Sequence, residues 1–276
     1  MSIINVCNLF HTGDNIINFI FFYKIKKYIE ENNIIINYYT HDKHHKNLLD
    51  FKCSNNINIC NITLVEFING NNIYNIIRTV TINNIQTVIY HLWQATTNIP
   101  KEQASQEDLL CSMFNLFLQH YNIPITVNAF EYQDDDLFYR YSLLEEKYKN
   151  LDILIVNSTP LSNQYRYDKC EWDDFIIRLS KKYKVAITEK INNTNENIFC
   201  LTHFSLKQIA VVALGVQKII AINTGPSIPL YNTDILNKVD LIYLFGGKGC
   251  IPTGPVKTRK IKEVLNLNEL EFLIEK

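Results

Sequence analysis

Short runs of β-branched and aromatic residues alternate along this chain with longer stretches whose apolar positions recur at helical spacing. In the first half the strand-like runs are Ile3 to Phe10, Ile34 to Tyr39, Ile59 to Phe67, Ile85 to Leu92 and Ile123 to Ala129. His11-Thr12-Gly13-Asp14 reads as a turn with a helix start, and the helical pattern follows over Ile16 to Glu30. A second helical stretch, after a capping-like Ser105, covers Glu107 to Tyr121. A polar stretch from Glu131 to Asp136 interrupts the rhythm, and a short helix is expected over Ser142 to Lys149. The second half repeats the logic with strands at Leu151 to Asn157, Val185 to Thr188, Ile219 to Ile222 and Val239 to Phe245. Its helices are expected at Glu171 to Tyr183, at Ser205 to Leu214 and over the last twenty residues from Lys257.

This βαβ alternation predicts parallel sheets covered by helices. The expected organisation is an N-terminal Rossmann-like domain over 1–135, a C-terminal one over 150–256, and a C-terminal helix over 257–276 returning toward the first domain. A cleft between two such domains is the default place for a ligand.

Composition narrows the class. The chain has 276 residues, of which 47% are hydrophobic and 20% charged, as in a globular protein with a real core. A net charge of −1 and no basic stripe interleaved with aromatics argue against nucleic acid as a partner. The apolar run Ile16 to Tyr23 is interrupted by Asn18 and too short to span a bilayer. The seven scattered cysteines never form C-x-x-C and are expected to be buried thiols of a reducing, cytoplasmic protein.

The densest chemistry lies at Ala221-Ile222-Asn223-Thr224-Gly225-Pro226-Ser227, directly after an apolar run. Ligands sit at the carboxyl ends of strands in open α/β sheets. Gly225 allows close backbone approach, and a helix start there would offer N–H groups to a phosphate. Three other turns complete a set: Thr12 to Ile17, Asn157-Ser158-Thr159-Pro160, and Leu244-Phe245-Gly246 followed by Pro252-Thr253-Gly254-Pro255.

In their order and spacing these four turns resemble those of the heptosyltransferase family, glycosyltransferase family nine. The resemblance implies the GT-B architecture, two Rossmann-like domains with parallel sheets facing a central cleft. It implies an inverting, metal-independent transfer of a sugar from a nucleotide-diphosphate sugar to a carbohydrate or glycoconjugate acceptor, with no other cofactor. Two positions depart from the family pattern: Asn223 stands where Asp is usual, and Ile228 where His is usual. They favour an alternative, a sugar-nucleotide-binding protein without catalysis. A sugar-nucleotide epimerase is a second alternative.

Residue roles follow from the resemblance and are weighed against simpler structural ones. Asp14 matches the acidic base that deprotonates the acceptor, and it is equally placed to cap a helix whose N-terminus would lower its pKa. Gly13 belongs to the same turn. Ser158, Thr159, Asn223, Thr224, Gly225 and Ser227 would meet the diphosphate, with Arg166 and Lys169 as counter-charges. For Lys169 a solvated loop is the simpler reading. Glu189 would accept from ribose hydroxyls, or is a plain surface carboxylate beside Lys190. Thr202 and His203 would line the nucleobase. His91, Trp93 and Gln94 would face the acceptor, with core packing the rival reading for Trp93.

Three further signals are discounted. Asp134-Asp135-Asp136 has the spacing of a metal-binding D-x-D but sits in a connector, and a solvated acidic loop is expected. His41-x-x-His44-His45 lacks partners at ligand spacing and is expected on a surface loop. Gly246-Gly247-Lys248-Gly249 does not have the order of a P-loop.

Overall fold

The computed structural model describes residues 2–62, 76–82, 84–92, 106–159, 165, 167–192, 195–245 and 260–274. The chain divides into two compact units, Met1–Tyr132 and Gln133–Lys276.

The first unit contains β1 (Ile3–Cys7), α1 (Thr12–Glu31), β2 (Ile35–Thr40), α2 (Asp42–Leu49), β3 (Ile57–Asn61), β4 (Ile77–Ile82), β5 (Ile85–His91) and α3 (Gln106–His120). Its sheet runs β3-β2-β1-β5-β4. All neighbours are parallel except β4, which pairs antiparallel with β5. Periodicity did not single out β4. Its signal is the alternation of Ile77 to Ile82 and a two-residue connection, in which Asn84 takes φ 64°.

Buried residues occur all around α1 from Asn15 to Phe22, as expected of a helix enclosed by packing. Its aromatic residues interlock with β2 and α3. Phe19 meets Tyr38 edge-on at 4.9 Å, and Phe21 stacks on Phe114 at 4.6 Å. Asparagine takes the left-handed position that ends helices in this glycine-poor chain. Asn33 (φ 52°) follows α1, and Asn122 (φ 53°) follows α3. The next amides close the motif, with Ile34 N–H to Ile29 O and Ile123 N–H to Leu118 O.

The strand expected over Ile123 to Ala129 does not form. Pro124 lacks an amide hydrogen, and side chains of α3 take over the segment's backbone groups. Asn115 brackets Val127 through bonds of 2.9 and 2.8 Å, and Glu107 accepts from Phe130 N–H at 2.8 Å.

The second unit contains α4 (Leu137–Ser142), a 3₁₀ turn (Glu146–Tyr148), β6 (Ile153–Val156), α5 (Lys169–Ser180), β7 (Val185–Ile187), β8 (Ile198–Cys200) and α6 (Leu206–Ala213). It continues with β9 (Lys218–Ile222), a 3₁₀ turn (Gly225–Tyr231), α7 (Thr233–Lys238), β10 (Leu241–Phe245), β11 (Ile261–Val264) and α8 (Leu267–Ile274). The helix expected over Ser142 to Lys149 is thus replaced by α4 and a separate 3₁₀ turn. The expected terminal helix is in part strand β11, which pairs parallel with β10. α8 buries Leu267, Leu270 and Ile274 in the second unit's core with Trp172, Phe175 and Phe245.

The second sheet is wholly parallel in the order β11-β10-β9-β6-β7-β8. Numbered within the unit this is 6-5-4-1-2-3, the Rossmann order, whose topological switch point lies between β6 and β9. In the first sheet the corresponding reversal lies beside β1, between β2 and β5.

A buried ion pair braces the second unit. Lys207 of α6 meets Asp134 at 2.7 Å, with both side chains nearly inaccessible. Asp136 pairs with Arg140 one turn along α4. The acidic connector is therefore not a solvated loop: Asp134 is buried and neutralised, and its Oδ1 accepts from Asp136 N–H. The expectation of buried thiols holds for Cys7 and Cys111 but not for Cys170, which is exposed; the six described cysteines form no disulfide. Among the described residues no helix is long and apolar enough to cross a membrane.

Candidate functional site

The sequence-predicted residues fall into two groups, one at the carboxyl edge of each sheet. In the first unit β1 ends at Cys7, and the chain turns through Asn8 to His11 into α1. Asn8 Oδ1 accepts from Phe10 N–H at 2.9 Å. Asn15 then ties the turn down from inside the helix. Its Nδ2 donates to His11 O at 2.9 Å, and its Oδ1 accepts from Tyr38 OH at 2.8 Å and Thr40 Oγ1 at 2.9 Å. Asn18 donates to the same Tyr38 hydroxyl. This buried, satisfied network fixes where α1 begins relative to β2.

His11 is the N-cap of α1, so Asp14 is the third helical residue and not the cap. Its carboxylate reaches back to accept from His11 N–H at 3.2 Å. The expected lowering of its pKa by the helix start is overturned. Burial dominates and raises the pKa above the ordinary value, against weaker lowering by the His11 amide and imidazole. Gly13 precedes it in the first turn.

His91 lies across the switch point. It ends β5 in register with Cys7 and presents its ring edge-on to Phe10 at 5.6 Å. It is buried. Trp93 and Gln94 lie outside the described residues.

His44 departs from the surface loop expected of it. It sits on α2, not on a surface loop, and is only 4% exposed. Its Nδ1 is 2.8 Å from Thr12 Oγ1, on the first residue of α1. Burial, reinforced by Lys43 and His41, lowers its pKa to about 4, so the ring is neutral near pH 7. The available signal was a turn rich in histidine shortly after a β2-like run, where α/β sheets place their loops.

In the second unit the turns after β6 and β9 flank the switch point. Asn157, fully buried, clamps β6 to the end of β7. Its Oδ1 accepts from Thr188 N–H at 3.0 Å and Glu189 N–H at 2.8 Å, while its Nδ2 donates to Glu189 O at 3.0 Å. Ser158 Oγ lies 3.3 Å from Thr188 Oγ1. Thr159 is exposed and donates twice to the Glu189 carboxylate, from N at 3.0 Å and from Oγ1 at 3.2 Å. Glu189 is thus neither an idle surface residue nor free of partners.

After β9, Asn223 N–H donates to Phe245 O at 3.0 Å and extends the sheet. The 3₁₀ turn from Gly225 begins where an α-helix start was expected, with Thr224 as its N-cap. Ser227 is buried and turned inward. Its hydroxyl donates to Thr224 O at 2.8 Å and accepts Thr224 N–H at 3.3 Å. It shapes the turn and does not point its hydroxyl toward solvent. Thr224 Oγ1 donates to Ile222 O.

Lys169 opens α5 instead of sitting in a loop, and it pairs with Asp173 at 2.9 Å. Arg166 lies outside the described residues, as do Gly246 to Pro255. Thr202 and His203 are exposed before α6, where Ser205 and Gln208 form a reciprocal cap. Among the described residues no group of three or more His, Cys, Asp or Glu could hold a metal ion.

Both units are Rossmann-like α/β folds, and each carries sequence-predicted residues in turns at the carboxyl ends of its strands. No protein-family model matches the chain, and no curated protein matches it in sequence. Solved structures match it along its whole length. Escherichia coli heptosyltransferase WaaC with ADP-2-deoxy-2-fluoro heptose has a TM-score of 0.62 at 11% identity, over 99% of each chain. E. coli ADP-heptose lipopolysaccharide heptosyltransferase II has 0.60 at 12%, over 100% of this chain and 99% of that one. The family 9 glycosyl transferase from Veillonella parvula DSM 2008 has 0.55 at 13%, over 100% and 89%. At these identities the similarity establishes the fold, that of GT-B-like glycosyltransferases.

Proposed function

We propose that the protein is a glycosyltransferase of GT-B type, transferring a sugar from a nucleotide-diphosphate sugar to a carbohydrate or glycoconjugate acceptor with inversion and without a metal. The observation that carries this reading is the pairing of the 157–159 and 223–225 turns on either side of the second sheet's switch point. Ligands of open α/β sheets sit at that place.

The donor's diphosphate lies against Ser158, Thr159, Thr224 and the Gly225 backbone, with Arg166 and Lys169 as cationic partners. Glu189 receives ribose hydroxyls, and Thr202 and His203 border the base. Ser227 and Asn223 hold the turn. The acceptor docks at the first unit's sheet edge beside His91, and Trp93 and Gln94 are assigned to the acceptor side with it. Asp14 removes its proton as the hydroxyl displaces the nucleoside diphosphate. A raised pKa suits this role, because a carboxylate made more basic by burial accepts a proton more readily. His44, neutral and bonded to Thr12, steadies the turn that carries Asp14.

The test is a thermal-shift panel of nucleoside diphosphates and their sugars, with and without EDTA. One similar structure is a complex with ADP-2-deoxy-2-fluoro heptose, which puts ADP first. A ligand at 100 times its Kd adds about 2.7 kcal/mol, a shift of about 5–10 °C for a chain near this size. One nucleotide family shifting the midpoint, unaffected by EDTA, supports the reading. No shift from any of them overturns it. Tight binding without transfer or hydrolysis favours the non-catalytic alternative, for which Ile228 is the specific observation: it replaces a polar residue and is 6% exposed.

A further inference from the structure

Two of the donors proposed for the diphosphate, the N–H and the hydroxyl of Thr159, are already engaged by an anion belonging to the protein. Thr159 is the exposed residue of the β6 turn, and both its N–H and its hydroxyl point at the Glu189 carboxylate, one oxygen each. Glu189 makes no ion pair among the described residues, so these two bonds are its partners. Its main chain cannot follow the side chain if it swings away. Asn157 grips Glu189 N–H and C=O from β6 and is fully buried. The backbone is a fixed pivot, and the carboxylate is the moving part.

Resting on the donor reading above, we propose that Glu189 is a specificity-determining residue that competes for the anion cradle at Thr159, so that a diphosphate is admitted only when its nucleoside supplies replacement donors. A phosphate oxygen and a carboxylate oxygen compete for the same N–H and O–H. An entering pyrophosphate must expel the carboxylate and then sit beside a second, unpaired negative group. A nucleoside diphosphate also expels it, but ribose hydroxyls then give the displaced carboxylate new hydrogen bonds. The exchange is close to balanced for the nucleotide and unfavourable for the bare anion. The gate thereby rejects free phosphate and pyrophosphate, anions that any diphosphate cradle would otherwise collect.

The experiment is calorimetric titration of the whole protein, the Glu189→Gln variant and the Glu189→Ala variant, at constant ionic strength. The probes are inorganic pyrophosphate and whichever nucleoside diphosphate the unmodified protein binds best. Pyrophosphate is expected to bind both variants about three- to tenfold more tightly, since a charge-assisted competitor has gone. The nucleoside diphosphate is expected to gain nothing or to weaken, so its preference over pyrophosphate falls about threefold or more. Thermal midpoints taken alongside establish that the Asn157 clamp still holds the turn. Adding Thr159→Val to Glu189→Ala is expected to reverse the pyrophosphate gain; a gain that survives places the anion elsewhere and overturns the assignment. Unchanged or weaker pyrophosphate binding in both single variants overturns the gate while leaving the donor reading intact. If the unmodified protein binds neither probe, both fall.

Discussion

Asp14→Asn separates catalysis from folding, because the same environment that suits Asp14 to act as a base makes its charge a burden on the fold. Burial raises its pKa above the usual carboxylate value, so the ionised form is disfavoured in the folded chain relative to the unfolded one. Stability linked to this group is fully present below the unfolded pKa, where Asp14 is protonated in both states, and is lost as pH rises through the folded value. Asparagine carries no charge at any pH, and its side-chain oxygen can still accept from His11 N–H, as the carboxylate does at 3.2 Å. The variant is therefore expected to match or exceed the parent's thermal midpoint at pH 7, with the difference closing as pH falls toward the ordinary carboxylate range. Loss of a general base lowers transfer by about 10²–10⁴-fold, equivalent to about 2.7–5.4 kcal/mol of transition-state stabilisation. Product formation by mass spectrometry, with kcat/KM followed against pH, reads the first; scanning calorimetry reads the second. The parent's acid limb is expected above the ordinary carboxylate pKa. Transfer retained within tenfold in a folded Asp14→Asn refutes the base assignment. Lost transfer accompanied by a midpoint several degrees lower refutes the claim that the residue is dispensable for the fold.

Asn157→Leu leaves the Thr188 and Glu189 amides and the Glu189 carbonyl without their side-chain partner, so it is expected to destabilise by about 2–4 kcal/mol in urea titration and to weaken nucleotide binding. Lys207→Met strands the buried Asp134 carboxylate and is expected to cost about 3–5 kcal/mol, whereas Lys207→Met with Asp134→Leu recovers most of it. Arg178 holds the Glu271 carboxyl below its usual range in a mostly exposed pair joining α5 to α8. Its contribution is present above the ordinary carboxylate pKa and lost as pH falls through the depressed one, so Glu271→Gln is expected to remove at most about 0.5–1 kcal/mol at pH 7 and nothing at low pH.

The fold was largely legible because its strands are continuous apolar runs between amphipathic helices, the pattern of sheets buried on both faces. The failures have local causes. Ile123 to Ala129 has strand composition, but Asn115 and Glu107 satisfy its backbone from a helix close in sequence and far from its apolar pattern. β8 and β11 are only three and four residues long and too short to establish a period. The turns singled out from the sequence do lie at strand ends, while the direction of each side chain was not legible. Ser227 reads as a phosphate ligand and turns inward. His44 reads as a surface residue and is buried against Thr12. Asp134 reads as solvated and is locked to a lysine more than seventy positions away. The last two depend on tertiary partners that spacing along the chain does not encode, and Ser227 on a local one, Thr224, three residues earlier.

The two departures from the family pattern have different physical consequences. Ile228 is buried within the 3₁₀ turn, so an apolar residue there packs the element and withdraws nothing from the turn's backbone donors. Asn223 has the shape of aspartate without its charge and still extends the sheet through its N–H to Phe245. Beside a diphosphate, removing a carboxylate from the β9 turn lessens repulsion and adds a donor. Glu189, two strands away across β6, is already paired with Thr159. Both substitutions are therefore compatible with binding an anionic donor. In the proposed reaction the chemistry falls to the first unit, where a carboxylate with a raised pKa stands on a turn braced by Asn15, Tyr38 and Thr40. Those hydrogen bonds hold the turn from within the unit, which is the support that a catalytic or binding constellation needs.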